Sequence, residues 1–206
     1  MKRLLLLPVL ATIACGKAGN SANAGDTAVD SAAALADSPR AVRDTTALTC
    51  GVTGTPALEE TGIGELKQGR SIDEIPALCE VLSDSEQQGQ EGIMERVVVV
   101  QIAGETVRAV VDRGRIVRIE VNTPRLRTAD SLGVDTPLSR IAAMRGAQFA
   151  PGHDGVFGFS PEHCGLSFRF SVPWRPPAGG QWTAEAITAR HGTAAVNRVI
   201  VIGCRR

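Results

Sequence analysis

The stretch RVVVVQIAGETVRAVVDRGRIVRIEV, residues 96–121, decides the predicted fold class of this 206-residue chain. It contains three runs in which β-branched residues dominate: Arg96–Ile102, Glu105–Asp112 and Arg115–Val121. The two connections between these runs are short and contain glycine, as the turns of β-hairpins do. The stretch therefore predicts a three-stranded antiparallel meander.

Alternation in the third run separates its two faces. Val117, Ile119 and Val121 are predicted to share one face of the strand. Arg118 and Glu120 are predicted to share the opposite face, because successive strand side chains point to opposite sides.

A helix is predicted just before this meander. Ser71 and Glu74 have the spacing of a capping box, in which the serine caps the helix and the glutamate reaches back to the serine amide. Apolar residues then recur at helical spacing and form one predicted buried stripe: Ile72, Ile75, Leu78, Cys79 and Leu82.

A similar succession recurs in the C-terminal half. Thr136 is the predicted cap of a second helix, with Pro137 at its first position. Three strand-like runs follow, with a long insertion at 173–195: Gly155–Ser160, Cys164–Val172 and Asn197–Gly203. We therefore predict an α+β domain, an antiparallel sheet of about six strands built from two helix-plus-three-strand repeats (62–121 and 131–204) with the helices on one face.

The N terminus has the pattern of a lipoprotein export signal. Lys2 and Arg3 precede an apolar run that is too short to span a bilayer permanently. The following residues TIAC resemble a lipobox, so we predict cleavage of the leader 1–14 and a stable lipid anchor on Cys15. The next residue, Gly16, is not Asp, which favours the outer membrane and a domain that faces the periplasm. The alternative is an ordinary signal peptide with a chance cysteine.

Residues 15–47 are a predicted disordered tether, and residues 48–206 are the predicted single domain. The tether is rich in Ala, Gly, Ser and Asp, and it has too few large apolar groups to offset its chain entropy. Loss of the leader leaves 20 basic and 22 acidic side chains. This near balance argues against a nucleic-acid binder, which needs a basic excess.

The four cysteines of the domain predict two disulfides, because their number is even and the chain carries an export signal. Cys164 opens one predicted strand and Cys204 follows another, so two antiparallel neighbours would bring these residues together. Cys50 and Cys79 would then close the N-terminal end of the domain onto the first helix. A zinc site is the alternative, but the chain has no Cys-x-x-Cys motif or suitable Cys/His spacing.

One motif resembles a known group of proteins. Gly64, Gly69, Ser71, Glu74 and Ile75 form the pattern G-x4-G-x-S-x2-E-I. This pattern is similar to the opening of the SmpA/OmlA-type outer-membrane-assembly lipoproteins and of the tandem-repeat β-lactamase-inhibitor proteins, in which a helical element packs on an antiparallel meander. The resemblance implies a protein-binding module of the cell envelope, and it carries over no partner-contacting residue.

Both tryptophans of the chain lie in the long insertion. Trp174 and Arg175 lie in a proline-rich segment and Trp182 follows it, and these residue types dominate protein interfaces. We therefore predict that they contact a partner. The alternative is that Trp182 opens a short helix, 183–189, and packs it onto the sheet.

No residue pattern predicts a catalytic, cofactor or metal site. His153 and His163 lie in predicted turns without a third ligand at suitable spacing, and no motif for a nucleophilic enzyme occurs. The sequence therefore predicts a membrane-anchored envelope lipoprotein that acts as a protein-interaction module, with an envelope protein as its partner and no nucleic acid. The alternatives are a periplasmic hydrolase and a small-molecule or metal-binding protein.

Overall fold

The computed structural model describes the residues 48–54, 56–89, 92–153, 155–176 and 182–204. These ranges belong to one compact unit, Asp44–Arg206. The predicted leader, the lipid-anchor residue Cys15 and the tether lie outside the described residues. In the part of the chain that is described, no helix is long and apolar enough to cross a membrane.

The fold is dominated by one antiparallel sheet of eight strands. A separate two-stranded sheet precedes it in the chain and consists of β1 (Gly62–Ile63) and β2 (Leu66–Lys67). The strands of the main sheet are β3 (Glu80–Gln88), β4 (Met94–Ile102), β5 (Glu105–Asp112), β6 (Arg115–Val121), β7 (Gln148–Gly152), β8 (Gly155–Phe159), β9 (Leu166–Phe170) and β10 (Val196–Val201). Their spatial order is β3-β4-β5-β6-β10-β9-β8-β7, so β6 and β10 are central and β3 and β7 are the edges.

The helical segments among the described residues are short. They are the 3-10 stretches Ile72–Ala77 and Pro161–His163 and the α-helices α1 (Leu138–Ala142) and α2 (Ala184–His191). α1 contacts α2 and β8. Ile141 of α1 and Ile187 of α2 are fully buried, so the helices contribute to the same core as the sheet.

One face of the main sheet forms the core. Every second side chain of the central strands points into it, as the two-residue period of a strand requires. Core residues of β4, β5, β6, β9 and β10 include Val98, Val100, Val107, Ala109, Ile119, Val121, Phe168, Phe170, Val199 and Val201. Burial of these side chains is the main driving force for folding.

The predicted α+β fold with about six strands is wrong, because the chain forms a mostly β fold with eight strands in its main sheet. The meander 96–121 exists as β4, β5 and β6, but β3 and β7 were not predicted. Both are edge strands, which pair on one side only and need no apolar alternation. β3 has the mainly polar sequence EVLSDSEQQ, and β7 contains Pro151, which is typical of an edge.

The structure also does not support the two predicted repeats. In the first half, a 3-10 stretch leads into four consecutive strands, β3 to β6. In the second half, α1 precedes β7, and α2 separates β9 from β10. The succession of a helix and three strands therefore describes neither half.

The predicted first helix is a single 3-10 stretch followed by a strand. Pro76 lies inside the stretch and cannot donate the backbone hydrogen bond that an α-helix requires. Ser71 makes no side-chain capping bond, so the predicted capping box does not form. The apolar stripe is divided between two elements, and Leu82 lies exposed in β3.

The second predicted helix begins one residue later than expected. Pro137 takes the N-cap position, and α1 starts at Leu138. Thr136 does not cap the helix, because its Oγ1 accepts a hydrogen bond from the Gly133 amide at 2.9 Å.

Both predicted disulfides are confirmed. The structure contains Cys50–Cys79 and Cys164–Cys204. β9 and β10 are antiparallel neighbours, and Leu166 opposite Val201 brings the second pair of cysteines together. Cys50–Cys79 is fully buried, whereas Cys164 is exposed at the end of the sheet.

Candidate binding face

The face of the main sheet opposite the core carries a group of charged side chains. We call it the polar face. Its central residues on β5, β6 and β10 are Arg108, Arg118, Glu120, Arg198 and Ile200. Val97 and Val110 lie on the same face, and like Ile200 they are buried but do not belong to the core cluster.

The strand register places Glu120 at the centre of three arginines. Arg108 of β5 lies directly opposite Glu120, and Arg118 lies two residues earlier on β6 and therefore on the same face. Arg198 of β10 is diagonal to Glu120, because Ile200 is its direct partner. Cross-strand and diagonal neighbours are within reach of long side chains.

The side chain of Glu120 is only 4% exposed and is held by these arginines. Its Oε1 lies 3.0 Å from Arg118 Nε, and its Oε2 lies 3.3 Å from Arg198 Nη1. Arg108 Nε is 3.9 Å from the same Oε2, which is an ion pair without a hydrogen bond. A charge this deeply buried needs such partners, since it has lost its hydration.

The three guanidinium groups are fixed by further polar neighbours. Arg118 donates from Nη2 to Glu95 at 2.7 Å, and Arg108 donates from Nη2 to Gln87 at 2.9 Å. Arg198 donates from Nε to Asn122 at 3.1 Å. Three arginines thus face two carboxylates, which leaves an excess of one positive charge.

A cavity of about 230 Å³ opens between these side chains, and we call it the arginine cleft. It is lined by the three arginines together with Gln88, Glu95 and Glu120. The Nε atom of Arg108 is buried and has no hydrogen-bond partner. An unpaired buried donor is costly, and the described part of the protein leaves this one without a hydrogen bond.

A second and larger cavity adjoins the arginine cleft, and we call it the apolar groove. It has a volume of about 510 Å³. We name it for the apolar part of its lining, which is Ile93, Met94, Val110, Val111 and Val117. Charged side chains form the other part of the lining: Glu86, Glu95, Arg96, Asp112, Arg113 and Arg118. Glu95 and Arg118 line both cavities and therefore stand at their junction.

A β-bulge in β6 shapes the apolar groove. Val110 pairs with Arg118 and Val111 pairs with Ile116, so Val117 is an extra residue without a cross-strand partner. The bulge turns Val117 away from the core, and its side chain is 39% exposed. The prediction that Val117 shares the face of Ile119 is therefore wrong, while Arg118 and Glu120 do share a face as predicted.

The predicted partner contacts lie elsewhere, next to α2. Trp182 is buried, and its ring contacts His191 edge to face at 5.8 Å and the Arg190 guanidinium at 5.9 Å. Trp174 is partly buried against the core, whereas Arg175 is exposed. Both indoles thus have packing roles, and a partner contact at these residues stays a prediction.

His153 and His163, the two histidines predicted to lie in turns, differ in their surroundings. His153 is exposed in the turn between β7 and β8. His163 places Nε2 3.2 Å from Asp130 Oδ2, and Thr128 Oγ1 donates to Asp130 Oδ1 at 2.5 Å. Burial raises the pKa of Asp130, but the hydrogen bonds from Thr128 and His163 outweigh this and hold the pKa below its ordinary value. The hydroxyl donates to the carboxylate, so this group lacks the nucleophile-to-imidazole bond of a catalytic triad.

One group of possible metal-ligating atoms occurs among the described residues. It consists of Glu60, Cys164 and Cys204, and the Glu60 Oε2 lies 3.5 and 3.2 Å from the two sulfurs. Both sulfurs are joined in the disulfide, whereas a metal is bound by thiolates. The group is therefore a carboxylate packed against a disulfide.

Sequence reasoning missed the arginine cleft, although part of its signal was visible. Arg118 and Glu120 were placed on one face by alternation. Arg198 follows them by many residues, and only the pairing of β6 with β10 brings it to Glu120. A residue pattern without the strand order does not contain that information.

Comparisons with known proteins support the fold and leave the function open. No protein-family model matches the chain, and no curated protein matches it. Among solved structures, it is similar to the uncharacterized protein yfeY from Escherichia coli, with 21% identity and a TM-score of 0.52. The similarity covers 71% of this chain and 99% of that chain. The similarity shows a shared fold alone, and the resemblance to SmpA/OmlA-type and β-lactamase-inhibitor proteins stays a prediction.

Proposed function

We propose that this protein is a binding protein of the bacterial cell envelope, and that its arginine cleft recognises a negatively charged group on its ligand or partner. The observation that carries the proposal is the convergence of three guanidinium groups on one cavity with an excess of one positive charge. Guanidinium groups bind carboxylates and phosphates through paired hydrogen bonds of matching geometry.

Preorganisation supports recognition at this site. The buried Glu120 and its neighbours hold the arginine side chains in place, so little side-chain entropy remains to be lost when an anion binds. The remaining guanidinium N–H groups are available to the ligand. The partly buried setting also strengthens their electrostatic attraction compared with bulk water.

The envelope location in this proposal rests on the leader and on Cys15. Metabolic labelling with palmitate tests it directly. We expect the wild-type chain to incorporate label and to fractionate with membranes, and the Cys15→Ser chain to lose both properties. A labelled Cys15→Ser chain, or a wild-type chain that fractionates without membranes, would contradict the location and leave the anion site to be judged separately.

The anion site is tested by calorimetric titration of the purified chain with acetate and with inorganic phosphate. We expect saturable binding that weakens at least about tenfold in Arg118→Gln and in Arg198→Gln, because each change removes one cation from the cleft. Arg145→Gln is the matched control, since Arg145 is 89% exposed and does not line the cleft. Equal binding by all four proteins, or no saturable binding, would refute the proposal.

A further inference from the structure

The apolar groove beside the arginine cleft indicates what kind of molecule carries the anionic group. We propose that the ligand is an amphipathic anion, whose carboxylate or phosphate lies in the arginine cleft and whose hydrocarbon part lies in the apolar groove. This inference rests on the proposed anion site and extends it to the rest of the ligand.

The arginine cleft and the apolar groove are continuous. Glu95 and Arg118 line both of them, so a molecule that reaches past Arg118 passes from the arginine cleft into a cavity where exposed apolar side chains lie beside charged ones. Together the cavities combine a charged cleft with a larger cavity in which apolar side chains cluster. A small inorganic anion would occupy only the first of these.

Several apolar side chains in the groove are exposed. Ile93 and Met94 are 64% and 58% exposed, and Val117 is turned outward by the bulge in β6. Large apolar side chains that cluster on a surface mark binding sites more often than single ones do. Methionine suits a hydrocarbon ligand, because its flexible side chain adapts to apolar groups of different shape.

The backbone under the groove is already paired within the sheet. Most of the lining of the groove comes from β4, β5 and β6, and each of these strands is hydrogen-bonded to a neighbour on both sides. The edge strand β3 contributes only Glu86. A peptide that adds to a sheet needs a free strand edge, which these interior strands do not offer. Recognition here must come from side chains, and a hydrocarbon chain needs no hydrogen-bond partners.

None of the described residues that line the two cavities is aromatic. Nucleobases stack on aromatic rings, and the binding sites of many ring-shaped ligands are rich in aromatic side chains. The lining therefore favours an aliphatic chain over a nucleoside or another planar ligand.

Calorimetric titration of the purified chain with a short ligand series tests the inference. The series is acetate, butyrate and octanoate, with octyl phosphate to compare head groups and octyl glucoside as an uncharged amphiphile. We expect affinity to rise about twofold for each added methylene, because an open groove buries only part of each group. We expect octyl glucoside to bind at least about tenfold more weakly than octanoate.

Matched variants locate the hydrocarbon chain. The double variant Met94→Ser with Val117→Ser should weaken octanoate about tenfold and leave acetate binding unchanged. Leu82→Ser is the control, because Leu82 is also an exposed apolar residue but does not line the groove. The altered residues are exposed, so far-ultraviolet circular dichroism should be the same for all of these proteins.

The possible results separate this inference from the proposed function. If acetate and octanoate bind equally well and both need Arg118, the anion site stands and the amphipathic ligand is refuted. If no anion binds, both are refuted. If an apolar dipeptide with a free carboxylate binds more tightly than octanoate, the site takes a polypeptide end and the inference is wrong. Comparison of octanoate with octyl phosphate identifies the preferred head group.

Discussion

The two faces of the main sheet are built from the same strands but differ in chemistry and in role. On one face, Ile119 and its neighbours form a dry core of aliphatic and phenylalanine side chains. On the other face, Glu120 forms an ionic network with three arginines and borders an exposed apolar groove. Residues that are adjacent in sequence therefore have different physical roles.

The two faces differ in how strictly each one constrains the amino-acid sequence. Core residues must only be apolar and of the right volume, so many sequences satisfy that face. Glu120 needs arginines at specific positions on two neighbouring strands, so far fewer sequences satisfy the polar face. Changes on the core face should reduce stability, and changes on the polar face should mainly change binding.

The largest loss of stability is expected from Phe168→Ala on the core face. Phe168 is completely buried, and its removal leaves a cavity in the centre of the core. The free energy of unfolding should fall by about 3–5 kcal/mol, as measured by urea denaturation. A loss below about 1 kcal/mol would contradict the view that this face is the stabilising one.

Glu120→Gln should have opposite effects on stability and on binding. It leaves three guanidinium groups with a single carboxylate, so the free energy of unfolding should fall by about 1–3 kcal/mol, less than for a fully buried pair because the arginines are partly exposed. The affinity for acetate should rise several-fold, because a competing anion is removed from the cleft. Calorimetry and urea denaturation on the same preparation measure both. A variant that loses both stability and affinity would indicate a purely structural role for Glu120.

A smaller, pH-dependent effect is expected away from both faces, from Asp130 between β6 and α1. Its pKa in the folded protein lies below the ordinary value of 3.8, so its contribution to stability is present above that pH and is lost as the pH falls through the lowered pKa. Asp130 is largely exposed, which limits the effect to about 1 kcal/mol or less. The difference in melting temperature between pH 7 and pH 3 should be smaller for Asp130→Asn than for the wild type. An unchanged difference would exclude Asp130 as a contributor.

The smallest effect on stability is expected from Val117→Ser on the polar face. The bulge leaves Val117 without a cross-strand partner and partly exposed, so the free energy of unfolding should change by no more than about 0.5 kcal/mol. Urea denaturation beside Phe168→Ala measures this contrast between the two faces. A fall in the free energy of unfolding as large as that of Phe168→Ala would contradict the proposed difference between the two faces.

The sequence was sufficient to predict the meander β4 to β6 and both disulfides, because these depend on strong local patterns. The runs of β4 to β6 are rich in β-branched residues, and the turns that join them contain glycine. The cysteine pairing followed once two strands were assumed to be antiparallel neighbours. The strand prediction used local residue patterns, and the disulfide prediction added the assumption that two strands are antiparallel neighbours.

The edge strands, the first helical segment and the arginine cleft could not be predicted, because contacts between distant parts of the chain determine them. β3 and β7 become strands through pairing with neighbours, although their own sequences are polar or contain proline. The stripe after Ser71 suggested an α-helix, but Pro76 and the pairing of β3 with β4 divide it into two elements. The arginine cleft depends on a contact between β6 and β10, whose Glu120 and Arg198 are distant in sequence.

The character of the two edge strands has a consequence for how the protein behaves at high concentration. An exposed strand edge is a template for pairing with another molecule, and long apolar edges lead to aggregation. β3 has acidic residues along its length, and it is bulged near Leu82, while β7 carries Pro151, which cannot donate a ladder hydrogen bond. Both edges thus resist the addition of a further strand, so the eight-stranded sheet can remain soluble when many copies are crowded together.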